Sequence, residues 1–377
     1  MARQIETKHR EIYRHIHEGI VTGAFGAGQR IPTEMELANE FDTSRVTVAR
    51  ALRDLQVQGF LIRRRGAGSF VRLREQIADS LFGLVTGNTP GLLAKISDAM
   101  IRKAHAGGFG LLSSKWPEGG LANLVPYAEE LCGEYSNRKV AGVFMAPMEL
   151  PEEEMSYNAR VAEIFARKGI PVVLLDRDVY DLPRRSSFDL VGIDNFHAGY
   201  VLTEHLWSLG RRRIGFVSHS RTVSTVTLRI AGYQHCLASH GVVPSRDWVH
   251  RGETGSMEFV RQVLKQARPD GLVCANDHEA AQLIRTLAAS GVRVPEEVAI
   301  VSIDDDQWAT YLSTSLTTLR PPFAELGVAA IKMMIERLAE PRMPAREVCL
   351  ACKLIVRKSC GAATTGELAG SAQSAAN

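Results

Sequence analysis

A chain of 377 residues exceeds what one hydrophobic core usually organises, so a small domain beside a larger bilobal one is the default expectation. With 45% hydrophobic and 23% charged residues it is ordinary globular material, and apolar runs such as Ile170 to Leu175 are too short to cross a bilayer. The net charge of +3 is uneven: residues 1–75 hold 13 Lys/Arg against 9 Asp/Glu while the rest hold 32 against 33, which suits a small head facing a polyanion and a nearly neutral body.

In chain order, Ile12, Ile16 and Ile20 recur at helical spacing, and Gly23, Gly26 and Gly28 stop that helix. Thr33 with Glu36 forms a capping box that starts a short helix ending near Phe41. After a turn at Asp42 and Thr43, Ser44 can cap a third helix. Its Val48, Leu52 and Leu55 make a buried stripe and leave Arg45, Thr47, Arg50 and Arg53 elsewhere on its surface. Beyond Gly59, Phe60-Leu61-Ile62 leads into the basic tip Arg63 to Gly68, and Ser69 to Arg72 returns. This predicts a two-stranded wing. Three helices and a basic glycine wing grip a duplex when the third helix enters the major groove and the wing reaches phosphates or the minor groove.

The stretch IPTEMELANEF-DTSRVTVARALRDLQVQGFLIRRRGAGSFV resembles the head of the GntR family over about residues 8–72. That resemblance implies DNA contacts from Arg45 and Thr47 on the recognition helix and from Arg65 and Gly66 on the wing, with Ser44 and Arg50 as further candidates. The family pattern usually has Arg where Met35 stands and often where Ala49 stands, so the operator need not be a familiar one. Arg50 either compensates from the next turn or sits in a surface salt bridge. Arg45 would read a guanine edge, with about 1–3 kcal/mol of discrimination; a structural role would need a carboxylate partner that the sequence does not locate. The run Arg63 to Arg65 is otherwise solvated charge.

Residues 76–80 are a polar linker after a head of residues 1–75. From 81 to 358, short apolar strands alternate with amphipathic helices: Phe82–Thr86, Gly110–Ser113, Ala141–Met145 and Val172–Asp176, then Ile214–Val217, Leu272–Ala275 and Val298–Ile303. That is βαβ winding, with ligands expected beyond the carboxyl ends of parallel strands. The segments FDLVGIDNFHAGYVLTEHLWSLGRRRIGFV, RIAGYQHCLASHGV, PDGLVCANDHEAAQLIRTLAASGVRVPEEVAIVSIDDD and TTLRPPFAELGVAAIKMMIERL are similar to the effector domains of LacI/GalR repressors and periplasmic sugar-binding proteins.

The implied fold class is α/β: a winged helix-turn-helix N-terminal domain plus a bilobal periplasmic-binding-protein-like body with two parallel-sheet lobes. One lobe would span about 80–189 with 323–341, the other about 190–319 with 345–357, and residues 359–377, rich in Gly, Ala, Ser and Thr, would be a disordered tail. The same resemblance places ligand contacts at Asp176, Arg229, Asn276 and Asp304, with Asn88 and Thr89 in the loop after the first strand. Carboxylates, a guanidinium fork and an amide together satisfy a polyol. Each has a plainer reading: Asp304 and Asn276 as caps after strands, Arg229 as an interlobe ion pair, Asp176 as the partner of Arg177. Thr254 stands where the family frequently has an aromatic ring, which argues against a purine ligand.

Other signals carry less. Cys349-x-x-Cys352 lies in one predicted strand, where residues three apart face oppositely, so it is not read as a metal site. Asp304-Asp305-Asp306 lacks the spacing of a calcium loop. Gly108-Phe109-Gly110 joins helix to strand, the reverse of the order dinucleotide binding needs, and Ser218-His219 has no nucleophile elbow. Met1 to Arg10 has no apolar stretch for a secretory signal, and six scattered cysteines show no disulfide framework; a reducing cytoplasm is expected.

The expectation is a regulator, not an enzyme, with no cofactor and no membrane partner. As a homodimer it would bind palindromic double-stranded operator DNA, and a sugar, sugar acid or polyol would change its affinity. In architecture the fusion resembles arabinose-responsive repressors. Two alternatives stand beside this: a GntR head on an enzymatic body, and a ligand-binding module whose head contacts protein rather than DNA.

Overall fold

The computed structural model describes residues 8–21, 24–25, 29–57, 60–64, 66–71, 80–87, 92–117, 123–150, 154, 156–220 and 223–362. The chain divides into two compact units, one with the N-terminal helices and wing, the other with the two large sheets.

In the first unit, α1 (Lys8–Val21), α2 (Glu34–Glu40) and α3 (Arg45–Val57) precede β1 (Leu61–Arg64) and β2 (Gly68–Val71). The capping box forms: Thr33 accepts from the Glu36 amide at 3.2 Å, and Glu36 accepts from the Thr33 amide at 2.6 Å. Ile12, Ile16, Leu37, Val48, Leu52, Leu55, Leu61 and Val71 form one buried cluster, so the helical stripe and the inward face of the wing close on each other. β1 and β2 pair antiparallel from Leu61↔Val71 to Arg64↔Gly68. The basic residues therefore extend into the strands, and the tip is shorter than the sequence suggests. Gly66 and Gly68 sit at φ +77° and +106°, which an L side chain tolerates poorly.

In the second unit, β3 (Leu81–Thr86), α4 (Leu92–Gly107), β4 (Gly110–Lys115), α5 (Leu124–Asn137), β5 (Val140–Met145), α6 (Ser156–Arg167), β6 (Val172–Leu175) and β7 (Asp189–Ile193) come first. Then follow α7 (Asn195–Ser208), β8 (Ile214–Ser218), α8 (Ser224–Ser239), β9 (Val249–Arg251), α9 (Met257–Ala267), β10 (Gly271–Cys274), α10 (Asp277–Ala289), β11 (Ala299–Ile303) and β12 (Thr317–Arg320). The series ends with α11 (Phe323–Ala339), β13 (Glu347–Leu350) and β14 (Lys353–Ile355). The sheets run β4-β3-β5-β6-β7-β13 and β9-β8-β10-β11-β12-β14. Both follow a doubly wound order that reverses beside the first strand, the place where such sheets open a crevice at their carboxyl ends. Only β14, at an edge, is antiparallel to its neighbour among the pairings described.

Sheet membership corrects the expected lobe limits. β7 and β13 pair in parallel within the first sheet, so residues 190–193 and 347–350 belong to the first lobe. The chain passes between sheets after β7, between β12 and α11, and between β13 and β14. Cys349 and Cys352 accordingly lie at a crossover between two strands of different sheets, not within one strand. The body also extends past 358: Ser359 and Cys360 are buried, and Ser359 donates to the Ile300 carbonyl at 2.7 Å. Asp189, fully buried, anchors the first sheet by accepting two bonds from Arg337 on α11, each at 2.9 Å.

Candidate ligand cleft and DNA-reading face

On the head, Ser44 caps α3 by accepting from the Thr47 amide at 3.2 Å, and the two hydroxyls lie 2.9 Å apart. This local pairing turns the helix start outward. Arg45 is exposed, and its guanidinium lies 3.7 Å from Glu34; Arg63 of the wing reaches the other oxygen of Glu34 at 3.3 Å. The carboxylate partner for Arg45 that the sequence could not locate is therefore Glu34, one helix earlier. It gathers the recognition helix and the wing around one acid. Exposed pairs of this kind contribute about 0–1 kcal/mol, so a phosphate or a guanine edge can displace Glu34 at little cost. Arg50 is exposed and has no ion pair among the described residues. Gly66 is exposed at the tip, and Arg65 lies outside the described residues. Met35 and Val46 are exposed apolar side chains of α2 and α3, on elements where the family carries polar contacts.

In the body, Asp176, Asn276 and Asp304 follow the ends of β6, β10 and β11, and Arg229 lies on α8. Asp176 follows β6 with φ +74°; its amide donates to the Val191 carbonyl of β7. A Cβ at Gly192 would lie 2.8 Å from the Asp176 carbonyl oxygen, so glycine in β7 is what allows this approach. One Asp176 carboxylate oxygen accepts from Arg177 at 2.8 Å. The other, Oδ1, is buried with no hydrogen-bond partner among the described residues. Arg229 of α8, 6% exposed, donates from Nε to Asn195 at 2.8 Å and from a terminal nitrogen to the Ala275 carbonyl. Asn276 caps α10 through Oδ1, which accepts from the Glu279 amide at 2.8 Å; the plainer reading of this residue is realised.

Asp304 follows β11 at φ +124°. Burial pushes its carboxyl well above the usual carboxylate range; the charge of Arg229 opposes the rise, and Asp277, Asp306 and Asp176 add to it. Arg229 and Asp176 are thus near enough to act on the Asp304 carboxyl. Asn88 and Thr89 lie outside the described residues. A cavity of about 360 Å³ opens between the lobes, lined among others by Asp176, Tyr180, Asn195, Ser224 and Thr225; of the four expected ligand residues, Asp176 lines it and Arg229, Asn276 and Asp304 do not. Thr254 does not face it as a substitute for a ring: it is fully buried, and its hydroxyl donates to Glu279 at 2.8 Å.

The tertiary structure adds residues that sequence reasoning missed. Lys95, on α4 of the first lobe, donates to the carbonyls of Asp304 and Asp305 at 3.1 and 2.9 Å and pairs with Asp306 at 3.0 Å. It spans the lobes beside the ligand locus. The three aspartates after β11 thus take three tasks. Asp304 is buried within reach of Arg229, Asp306 meets Lys95, and Asp305 binds Arg357 and Arg320. Burial opposes ionisation of Asp305, but hydrogen bonds from Arg357 and Arg320 hold its carboxyl below the usual range. The acidic run was visible in sequence; only the fold assigns each acid its partner.

Comparison with known proteins separates the same head and body. Residues 8–71 match the bacterial regulatory proteins of the gntR family, and residues 203–360 match the periplasmic binding protein-like domain. The chain is 28% identical over 369 residues to an arabinose metabolism transcriptional repressor of Geobacillus stearothermophilus, covering 93% of this chain and 97% of that one. It is 26% identical over 280 residues to the transcriptional repressor PurR of Photobacterium profundum, covering 73% and 79%. The solved regulator CelR in complex with cellobiose superposes with a TM-score of 0.62 at 21% identity, over 87% of this chain and all of that one; this shows the fold. No described helix is long and apolar enough to cross a membrane.

Proposed function

We propose that this chain, a DNA-binding transcription regulator that joins a GntR-type head to a periplasmic binding protein-like body, senses a neutral sugar in the body and answers by changing its affinity for operator DNA. The observation that carries the ligand reading is Oδ1 of Asp176, buried without a hydrogen-bond partner among the described residues on a side chain that lines an interlobe cavity. An unmet buried acceptor costs about 1–3 kcal/mol, and a ligand hydroxyl donating to it removes that cost. Asn195, Ser224 and Thr225 line the same cavity and offer further acceptors and donors, while Arg229 is already held by Asn195 and Ala275. The cavity lining carries Asp176, Asp178, Asp194 and Glu347 against Arg177, Arg184 and Arg185, an acidic excess that disfavours an anionic ligand, so among the polar classes the neutral sugars and polyols fit better than sugar acids. The repressors of sugar metabolism among its relatives point the same way.

The regulator acts as a homodimer on a palindromic site, because a single short recognition helix reads too few base pairs for tight specific binding. Ligand favours the lobe arrangement in which Lys95 clasps the loop after β11, and the differential affinity for that arrangement is the energy available to the switch. Repression relieved by ligand is the sign we favour.

The test uses the full chain and a duplex recovered by selection from a random library. A thermal-shift screen of neutral pentoses, hexoses and disaccharides identifies a ligand; at 100 times its dissociation constant it adds about 2.7 kcal/mol of stability. Fluorescence anisotropy then follows duplex release on adding it. Failure of every neutral sugar while a sugar acid binds overturns the ligand class. Tightening of the duplex complex reverses the sign. Duplex binding that does not weaken with salt, against an expected log-log slope near −0.9 per phosphate contact, removes the DNA reading.

A further inference from the structure

We propose that Glu204, Cys236 and His240 form a site for a zinc-type divalent cation on the paired helices α7 and α8 of the second lobe. Cys236 lies on α8 and His240 one turn later at its C-cap, so the two side chains share a face. Glu204 faces them from α7. The Nε2 of His240 lies 2.6 Å from Oε2 of Glu204, the Sγ of Cys236 lies 3.4 Å from the same oxygen, and all three candidate ligand atoms fall within 4.8 Å of one another. Bonds of about 2.0–2.3 Å in a tetrahedral zinc site hold ligand atoms roughly 3.3–3.7 Å apart, so the trio needs only small side-chain adjustments to admit an ion. The main one is opening the short His240–Glu204 contact.

The chemistry of the donors selects the metal class. One sulfur, one imidazole and one carboxylate suit zinc or cobalt and not the oxygen-seeking calcium and magnesium. Three protein donors leave a fourth position for water. The imidazole is pre-oriented: the Trp207 ring stacks on it with centroids 4.4 Å apart and planes 16° from parallel, and Arg212 lies over Trp207 at 4.3 Å. Both Glu204 and His240 retain solvent exposure, which leaves a path for the ion. The C-terminal end of α8 also carries the negative end of its dipole, favourable to a cation.

Without metal the Cys236 thiol donates to Oε2 of Glu204. Binding therefore exchanges the Cys236 sulfhydryl proton for the ion, with the proton released to buffer and no change of oxidation state. An ion here staples two helices that already pack closely: a Cβ at Gly199 would come 1.9 Å from the Arg229 carbonyl oxygen. The same helix pair holds Asn195 against Arg229 at the cleft.

Cobalt(II) titrated into the chelator-treated full chain is the test. The expected result is saturation at one ion per chain, four-coordinate visible bands, a near-ultraviolet sulfur-to-cobalt band, and displacement by zinc. Cys236→Ser should abolish the near-ultraviolet band. His240→Ala, at a more exposed position, should weaken cobalt binding at least tenfold while leaving the fold intact. The double variant Cys349→Ser/Cys352→Ser should keep the band. Absence of the sulfur band in the parent, its survival in Cys236→Ser, or unaltered affinity in His240→Ala overturns the site.

Discussion

Replacing Lys95 by Met tests whether closure of the lobes is coupled to ligand retention. The change removes a charge that contacts two carbonyls and one carboxylate at 2.9–3.1 Å, yet keeps an unbranched apolar stem beside Phe323, over whose ring the ammonium now lies at 4.7 Å. Hydrogen bonds to a charged group contribute about 1.5–3 kcal/mol when desolvated. The Lys95 and Asp306 side chains remain 25% and 17% exposed, and ordering a lysine costs up to about 2 kcal/mol of rotamer entropy. The net value of the clasp is then about 1–2 kcal/mol, or a 5- to 30-fold loss of sugar affinity. Isothermal titration of the screened sugar into parent and variant measures it. Asp306→Asn and the double variant complete a cycle whose coupling energy should account for most of the loss. Unchanged or tighter sugar binding in Lys95→Met refutes the clasp as a ligand-retaining contact.

Asp176→Asn removes an acceptor that the ligand is expected to complete; it should weaken sugar binding about 10- to 150-fold while anisotropy shows duplex affinity preserved. Arg45→Ala should cost about 1–3 kcal/mol on the selected duplex and flatten preference at one base pair, whereas Arg63→Ala should weaken all duplexes alike and lower the salt slope by about one contact. Burial pushes the Asp277 carboxyl up to about 6, against hydrogen bonds from Ser302, Thr318 and the Asp306 amide. A raised carboxyl lends stability that is fully present at low pH and lost as pH rises through the folded value. Relative to the parent, Asp277→Asn should therefore gain thermal stability between pH 4 and pH 7, and a midpoint difference that is flat or falls across that window contradicts the assignment. In the head, Leu55→Ala empties a fully buried position and should cost about 2–5 kcal/mol in chemical denaturation.

Much of this protein was legible without coordinates because its information is local. The spacing of Ile12, Ile16 and Ile20, the Thr33–Glu36 box and the glycines of the wing each act within a few residues, where periodicity and turn stereochemistry decide the outcome. The βαβ alternation of the body is local in the same sense, and it implies a cleft at strand ends. Asp176, Arg229 and Asp304 could be named from the segments that contain them.

What only the tertiary structure decided is pairing over long separations. Glu34 meets Arg45 and Arg63 because a helix and a hairpin converge on it. Lys95 finds the loop after β11 because two sheets face each other, more than two hundred residues apart in sequence. β7 and β13 join the first sheet because parallel strands bond across whichever neighbour the crossovers bring alongside, so the lobe limits moved. The burial of Asp176 and the unpartnered state of its Oδ1 among the described residues are properties of packing and have no signature in the order of residues.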